Sequence, residues 1–190
     1  MHFIFALVSF FLCLGANAAA SFSDIVSFLP DGGYRADLET NHNGLLNITD
    51  LDGNPVKGSP FVIDPIPFAP LVHAPDSEKT ENAWGCVDGE MMDAGFWVDA
   101  GKKLAAWCNG NTLHSHTIQW FKTDDNLAYL CNYAGPQPCK GDEFWDYMHT
   151  IAGGCNHLGA GWYLQGSGDK TYGRGIQGGK SDRNAVCSGV

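Results

Sequence analysis

The chain has 190 residues, with 21 acidic against 11 basic side chains and a formal charge of -10. That balance excludes nucleic acid as a partner, because phosphate binding needs an excess of Lys and Arg, and it argues equally against an anionic membrane surface. Twenty-four glycines and six tryptophans point to many turns and to a core built from a few large aromatics.

Met1 to Leu14 is an apolar run too short to span a bilayer, and Ala16 and Ala18 fit the small-residue pattern of a cleavage site. Residues 1–18 are therefore expected to be a signal peptide, although only His2 and the amino terminus supply positive charge ahead of the apolar run. No second long apolar segment follows, so the mature chain is expected to be secreted, extracellular and without a membrane span. Cys13 leaves with the leader. Cys86, Cys108, Cys131, Cys139, Cys155 and Cys187 remain, an even number suited to three disulfides in an oxidising compartment. The count leaves the connectivity open. Loop-closure entropy favours Cys131 with Cys139 across Gly135-Pro136-Gln137-Pro138. The simplest completion is then Cys108 with Cys155 and Cys86 with Cys187.

Residues 19–85 read as an extended, proline-containing arm. They hold no cysteine and all nine prolines except Pro136 and Pro138. Ser21 to Leu29 is expected to be a short helix. Residues 45–49 and 56–63 flank Asp52-Gly53, a hairpin signal. Asp64 to Pro70 cannot continue a central strand, because proline lacks the donor, and Asp76 to Asn82 reads as a linker. Asn47-Ile48-Thr49 is a glycosylation sequon in a secreted chain, which places Asn47 at the surface. Without a staple, residues 21–80 are expected to be less stably folded than the rest.

Residues 86–190 read as a cysteine-rich α+β domain. Phe96, Ala100, Leu104 and Trp107 recur at helical spacing, with Asp93 as cap and Asn109-Gly110 as stop. Thr117 to Thr123 and Leu127 to Tyr133 read as strands joined through Asp124-Asp125-Asn126. Asp142 is expected to cap a second helix whose Phe144, Met148, Ile151 and Cys155 share a face, ending at Gly153-Gly154. Trp162 to Gln165 and Thr171 to Gln177 suggest a further hairpin. The expected fold is two helices packed on one face of an antiparallel sheet, disulfide-stapled, with an extended N-terminal arm.

Residues with chemical potential each have a competing structural role. His114 and His116 would point to one side of a strand, as two metal ligands could, but no spaced third ligand follows. Asp124-Asp125 sits in a turn and Asp142-Glu143 in a helix first turn, where acids are favoured anyway. A pair of catalytic carboxylates must face each other across a cleft, which sequence does not display. His149, Glu143 and Arg174 are the residue types of a small secreted ribonuclease, without a motif joining them. Gly173-Arg174-Gly175 and Gly178-Gly179 lack the lysine and spacing of a phosphate loop. No catalytic residue, metal or cofactor is assigned. Trp97 and Trp107 go to the core, while Trp84 and Trp145 are the candidate binding surface, aromatics being large, rigid and partly polar. Single replacement of His116, His149, Asp142 or Glu143 is expected to be tolerated.

The segment from Cys86 to Cys187 resembles small cysteine-rich secreted proteins of filamentous fungi, most closely the necrosis-inducing effector family and the smut-type killer toxins. The pieces carrying the likeness are Trp107-Cys108-Asn109-Gly110, Leu127 to Asn132, Ile151-Ala152-Gly153-Gly154-Cys155, Ala160-Gly161-Trp162, Lys170-Thr171-Tyr172-Gly173 and Cys187. The likeness implies a non-enzymatic effector or toxin-like protein recognising a host or competitor protein or a wall glycan, and the self-repulsion of so acidic a chain favours a monomer. A secreted hydrolase and a cell-wall polysaccharide binding module are the alternatives.

Overall fold

The computed structural model describes residues 22–37, 45–59, 61–62, 82–166, 169–177 and 187. The leader and the proline-rich stretch 64–70 lie outside them, as do residues 76–81 of the expected linker. In chain order the elements are α1 (Phe22–Phe28), β1 (Gly32–Asp37), β2 (Leu45–Leu46), β3 (Ile48–Asp50), β4 (Phe61–Val62), β5 (Ala83–Met91), α2 (Ala94–Cys108) and β6 (Thr112–Leu113). They continue as β7 (Thr117–Thr123), β8 (Asn126–Asn132), β9 (Gln137–Pro138), α3 (Gly141–Gly154), β10 (Gly159–Leu164) and β11 (Lys170–Ile176). Seven strands form one sheet in the order β3-β1-β7-β8-β11-β10-β5, every neighbouring pair antiparallel.

β8 lies in the middle and is buried along its whole length, so its period-2 alternation feeds two cores. Leu127, Tyr129 and Cys131 join α1 (Ile25, Val26), Leu29, Tyr34, Ala36, Ile48, Ile118 and Trp120. Ala128 and Leu130 instead join α2 (Trp97, Ala100, Leu104), α3 (Phe144, Met148, Ile151), Tyr163 and Tyr172. Gly173 is what lets the sheet close beside β8: a Cβ there would overlap the ring of Tyr129.

The N-terminal segment is part of this sheet. β1 sits between β3 and β7, with six positions from Gly32↔Lys122 to Asp37↔Thr117 in register. Its junction with α1 is held from below: the buried Lys122 Nζ donates to Leu29 O at 2.7 Å, and Asp124 N–H donates to Asp31 Oδ1 at 2.8 Å. β1 is therefore an inner strand of the sheet rather than part of an extended arm. Cysteine and proline counts carry no information about strand neighbours, and Tyr34 and Ala36 alternate into the core as an inner strand requires. The expected hairpin is present in altered form. β2 pairs with β4, and β3 pairs with β1. The Asp50–Asn54 turn closes on the Asp50 carboxylate, which accepts from Asp52 N, Asn54 N and Asn54 Nδ2 at 2.8–3.0 Å. Asn54's side chain and backbone hold that carboxyl below its ordinary value.

α2 begins as expected, with Asp93 Oδ1 accepting from Gly95 N and Phe96 N at 2.9 and 3.3 Å. α3 does not. Its N-cap is Lys140, which makes no side-chain cap bond, and Asp142 lies inside the first turn with Glu143. The cap comes from elsewhere: Gly141 N–H donates to Asn109 Oδ1, at the end of α2, at 2.8 Å.

The disulfides are Cys86–Cys155, Cys108–Cys139 and Cys131–Cys187, with Cα separations of 5.2, 5.0 and 5.5 Å. All three expected pairs are overturned. Cys131 faces the α1 side of β8, whereas Cys139 belongs to the core under α2 and α3, so the sheet stands between two cysteines that are neighbours in sequence. Loop length decides a pairing only when both thiols reach the same side.

Candidate functional site: the two ends of the sheet

At the end of the sheet where β11 begins, Glu143 gathers the polar side chains. Its Oε2 accepts from Tyr172 OH at 2.6 Å and Lys170 Nζ at 3.0 Å; its Oε1 accepts from Gln165 Nε2 at 3.1 Å and, weakly, from Tyr147 OH at 3.5 Å. Lys170 also donates to Pro138 O at 3.4 Å. The Lys170 side chain is only 7% exposed and that of Glu143 21%. Tyr147 stacks on Tyr163 with ring centroids 4.1 Å apart and tilts against Tyr172 at 4.9 Å. Both carboxylate oxygens are thus engaged by donors that join α3 to β10 and β11. A carboxylate so held is a structural anchor. Its removal is expected to cost more stability than removal of an acid that only complements a helix start.

Burial, followed by the Glu143 hydrogen bond and charge, pushes the Tyr172 hydroxyl far above its ordinary value. Burial and then Glu143's charge raise Tyr147 from 10.0 to about 12. Unfolded tyrosines release their protons near pH 10, so this contribution is complete below that pH and is lost as pH rises through about 12. The Tyr172→Phe variant is therefore expected to lose less stability than the wild type between pH 9 and 12, as followed by equilibrium urea unfolding. Identical pH slopes would show that Tyr172 keeps no special proton.

At the opposite end, Arg174 is fully buried. Its Nε donates to Gly159 O at 2.9 Å, and its Nη2 donates to Asn156 O and His157 O at 3.3 and 3.2 Å. The guanidinium lies 4.7 Å from the Trp97 ring centroid. Burial lowers its pKa to about 10. This cation fixes the turn between α3 and β10, where Asn156 has φ 66°. The same end is cross-tied by Met92 N to Leu158 O at 2.8 Å, Asp93 N to Asn126 Oδ1 at 3.0 Å, and Gln177 N to Asp125 O at 2.7 Å. On this rigid frame Met91 is 52% and Phe96 44% exposed. Asp88 and Asp93, near them in sequence, are exposed, as are Asp124 and Asp125 in the β7–β8 turn.

The sequence candidates do not converge. His114 is exposed in the loop before β7, where its carbonyl accepts from Thr117 Oγ1 and Asn132 Nδ2. His116 has φ 50°. His149 is exposed on α3, Asp124 and Asp125 occupy the β7–β8 turn, and Arg174 is committed to backbone carbonyls. Among the described residues no group of three or more His, Cys, Asp or Glu side chains is placed to hold a metal ion, and no helix is long and apolar enough to cross a membrane. Asn47 is exposed between β2 and β3. Trp84 is 47% exposed on β5, its ring lying over Gly154. Trp145 is half-buried in the α2–α3 seam, 5.7 Å from Trp97 and against Gly101.

Sequence reasoning missed Lys170, Tyr172 and Gln165 as partners of Glu143, and Arg174 as a clamp. A signal was present: Lys170, Tyr172 and Arg174 stand at i, i+2 and i+4 of one strand, so three long polar side chains share a face that elsewhere is apolar. No family model, curated protein or solved structure matches the chain.

Proposed function

We propose that this is a secreted, extracellular, non-enzymatic protein of the fungal effector or toxin-like kind, acting by surface recognition of a host or competitor target. The carrying observation is how the polar groups are used. Glu143, Lys170 and Arg174 are engaged inside the fold, while apolar side chains, Met91 and Phe96, are presented on a cross-tied frame. Exposed apolar anchors on a cross-tied frame suit recognition, because little ordering entropy is spent on binding. In this reading α2 and α3 pack together on one sheet face, an arrangement that suits a scaffold because it leaves the strand ends free to display. The exposed ring of Trp84 favours the wall-glycan alternative as a second reading.

The test is a host cell-death or growth-inhibition assay on purified variants with native circular dichroism. Met91→Thr combined with Phe96→Ser is expected to lower potency at least tenfold. His149→Ala and Asp142→Asn are expected to leave it unchanged. Loss of activity in either of the latter, with the fold intact, would replace this reading by that of a hydrolase. Loss in Trp84→Ala alone, with binding to insoluble wall polysaccharide abolished, would favour the glycan module.

A further inference from the structure

We propose that Cys86–Cys155 is a redox-sensitive tie on the edge strand β5, opened by small thiols while the other two disulfides stay closed. Three observations carry this. The first is access. Cys86 is exposed while its partner Cys155 is 8% exposed, whereas both halves of the other two bonds, Cys108, Cys139, Cys131 and Cys187, are at most 4% exposed. Thiol–disulfide exchange requires a thiolate to reach one sulfur of the bond, so burial protects the other two.

The second is position. Among the described residues β5 is paired along one side only, with β10. The other buried disulfides close a joint between α2 and β9 and fix Cys187 to the central strand β8. Cys86–Cys155 joins the edge strand of the seven-stranded sheet to the C-terminal end of α3.

The third is a local break in the β5–β10 ladder beside the disulfide. Ala83 to Cys86 pair with Leu164 to Gly161, but pairing resumes only at Met91↔Gly159. Val87, Asp88, Gly89 and Glu90 stand opposite Ala160 alone, and Gly89 has φ 81°. The bulge interrupts the ladder immediately beyond the disulfide.

The exchange is balanced as follows. A thiolate attacks Cys86 Sγ and the S–S bond breaks. Cys155 leaves as a thiolate and takes a proton. A second thiol then resolves the mixed disulfide. Two small thiols are oxidised to one small disulfide, and the protein bond is reduced by two electrons. The product retains both cores and loses the covalent hold of α3 on β5.

The experiment incubates the oxidised full-length secreted protein in glutathione buffers of rising reduced fraction, without denaturant. Free thiols are trapped with N-ethylmaleimide and mapped by peptide mass spectrometry. Cys86 and Cys155 are expected to be labelled at a reduced-to-oxidised ratio at least tenfold lower than the other four. At that ratio, amide exchange in residues 83–91 is expected to accelerate at least tenfold, with residues 126–132 unchanged. A Cys86→Ser, Cys155→Ser double variant should reproduce the faster exchange. Graded reduction alone decides the matter if that variant fails to fold. Prior opening of either other disulfide, simultaneous labelling of all six cysteines, or opening without faster exchange in β5 each overturns the proposal. Failure here leaves the surface-recognition reading untouched, because that reading is tested on Met91 and Phe96.

Discussion

Glu143→Ala is expected to lower the unfolding free energy by about 3 kcal/mol, because it leaves a buried ammonium without its counter-charge. Lys170 would retain the long contact to Pro138 O and its place 5.5 Å from the Tyr172 ring centroid, while Tyr172 OH and Gln165 Nε2 would lose their acceptor. Chemical denaturation at neutral pH measures the loss. The neighbouring Asp142→Ala, on an exposed side chain, is expected to change stability by less than about 0.5 kcal/mol. A second variant separates the anchor from any catalytic role. Glu143→Leu with Lys170→Met removes both charges, and should recover much of the lost stability if the pair is structural. If Glu143→Ala leaves the denaturation midpoint unmoved yet abolishes activity, the carboxylate acts on a substrate and the recognition reading falls.

Removing Cys131–Cys187 by a double alanine replacement is expected to cost about 4 kcal/mol, from the chain entropy of a closed loop of this size. The 56-residue separation is spanned at the centre of the α1-side core, where both cysteines are at most 2% exposed. Guanidinium unfolding of oxidised wild type against the double variant reads the difference. A loss below about 1 kcal/mol would mean that the unfolded chain is already compact enough for the cross-link to restrict little.

The regular elements of the cysteine-rich half were legible because their periodicity is strong. β7 coincides with the Thr117–Thr123 alternation, the chain turns at Asp124-Asp125, and α2 starts after Asp93 and ends at Asn109. Local spacing carries that information. It does not carry which strands become neighbours. β1 was read as part of an arm because nothing in Gly32 to Asp37 announces β7, more than eighty residues later, as its partner. The cysteine pairing failed for the same reason: alternation along β8 assigns Cys131 to a face, but only the three-dimensional arrangement assigns Cys139 to the other. Glu143 was visible as a helix-start acid. Its role as an anchor rests on Lys170 and Tyr172, which the sheet brings to it.

The joint between α2 and α3 bears on the order of assembly. α3 has no capping side chain of its own; its first amide rests on Asn109, and Cys108–Cys139 fastens the same corner. An isolated peptide covering residues 140–155 would start with that donor unsatisfied and would be a poor helix. α3 is in this sense a dependent helix, whose beginning is completed by the end of another. Synthesis from the amino terminus delivers α2 first, so the support exists before the segment that needs it.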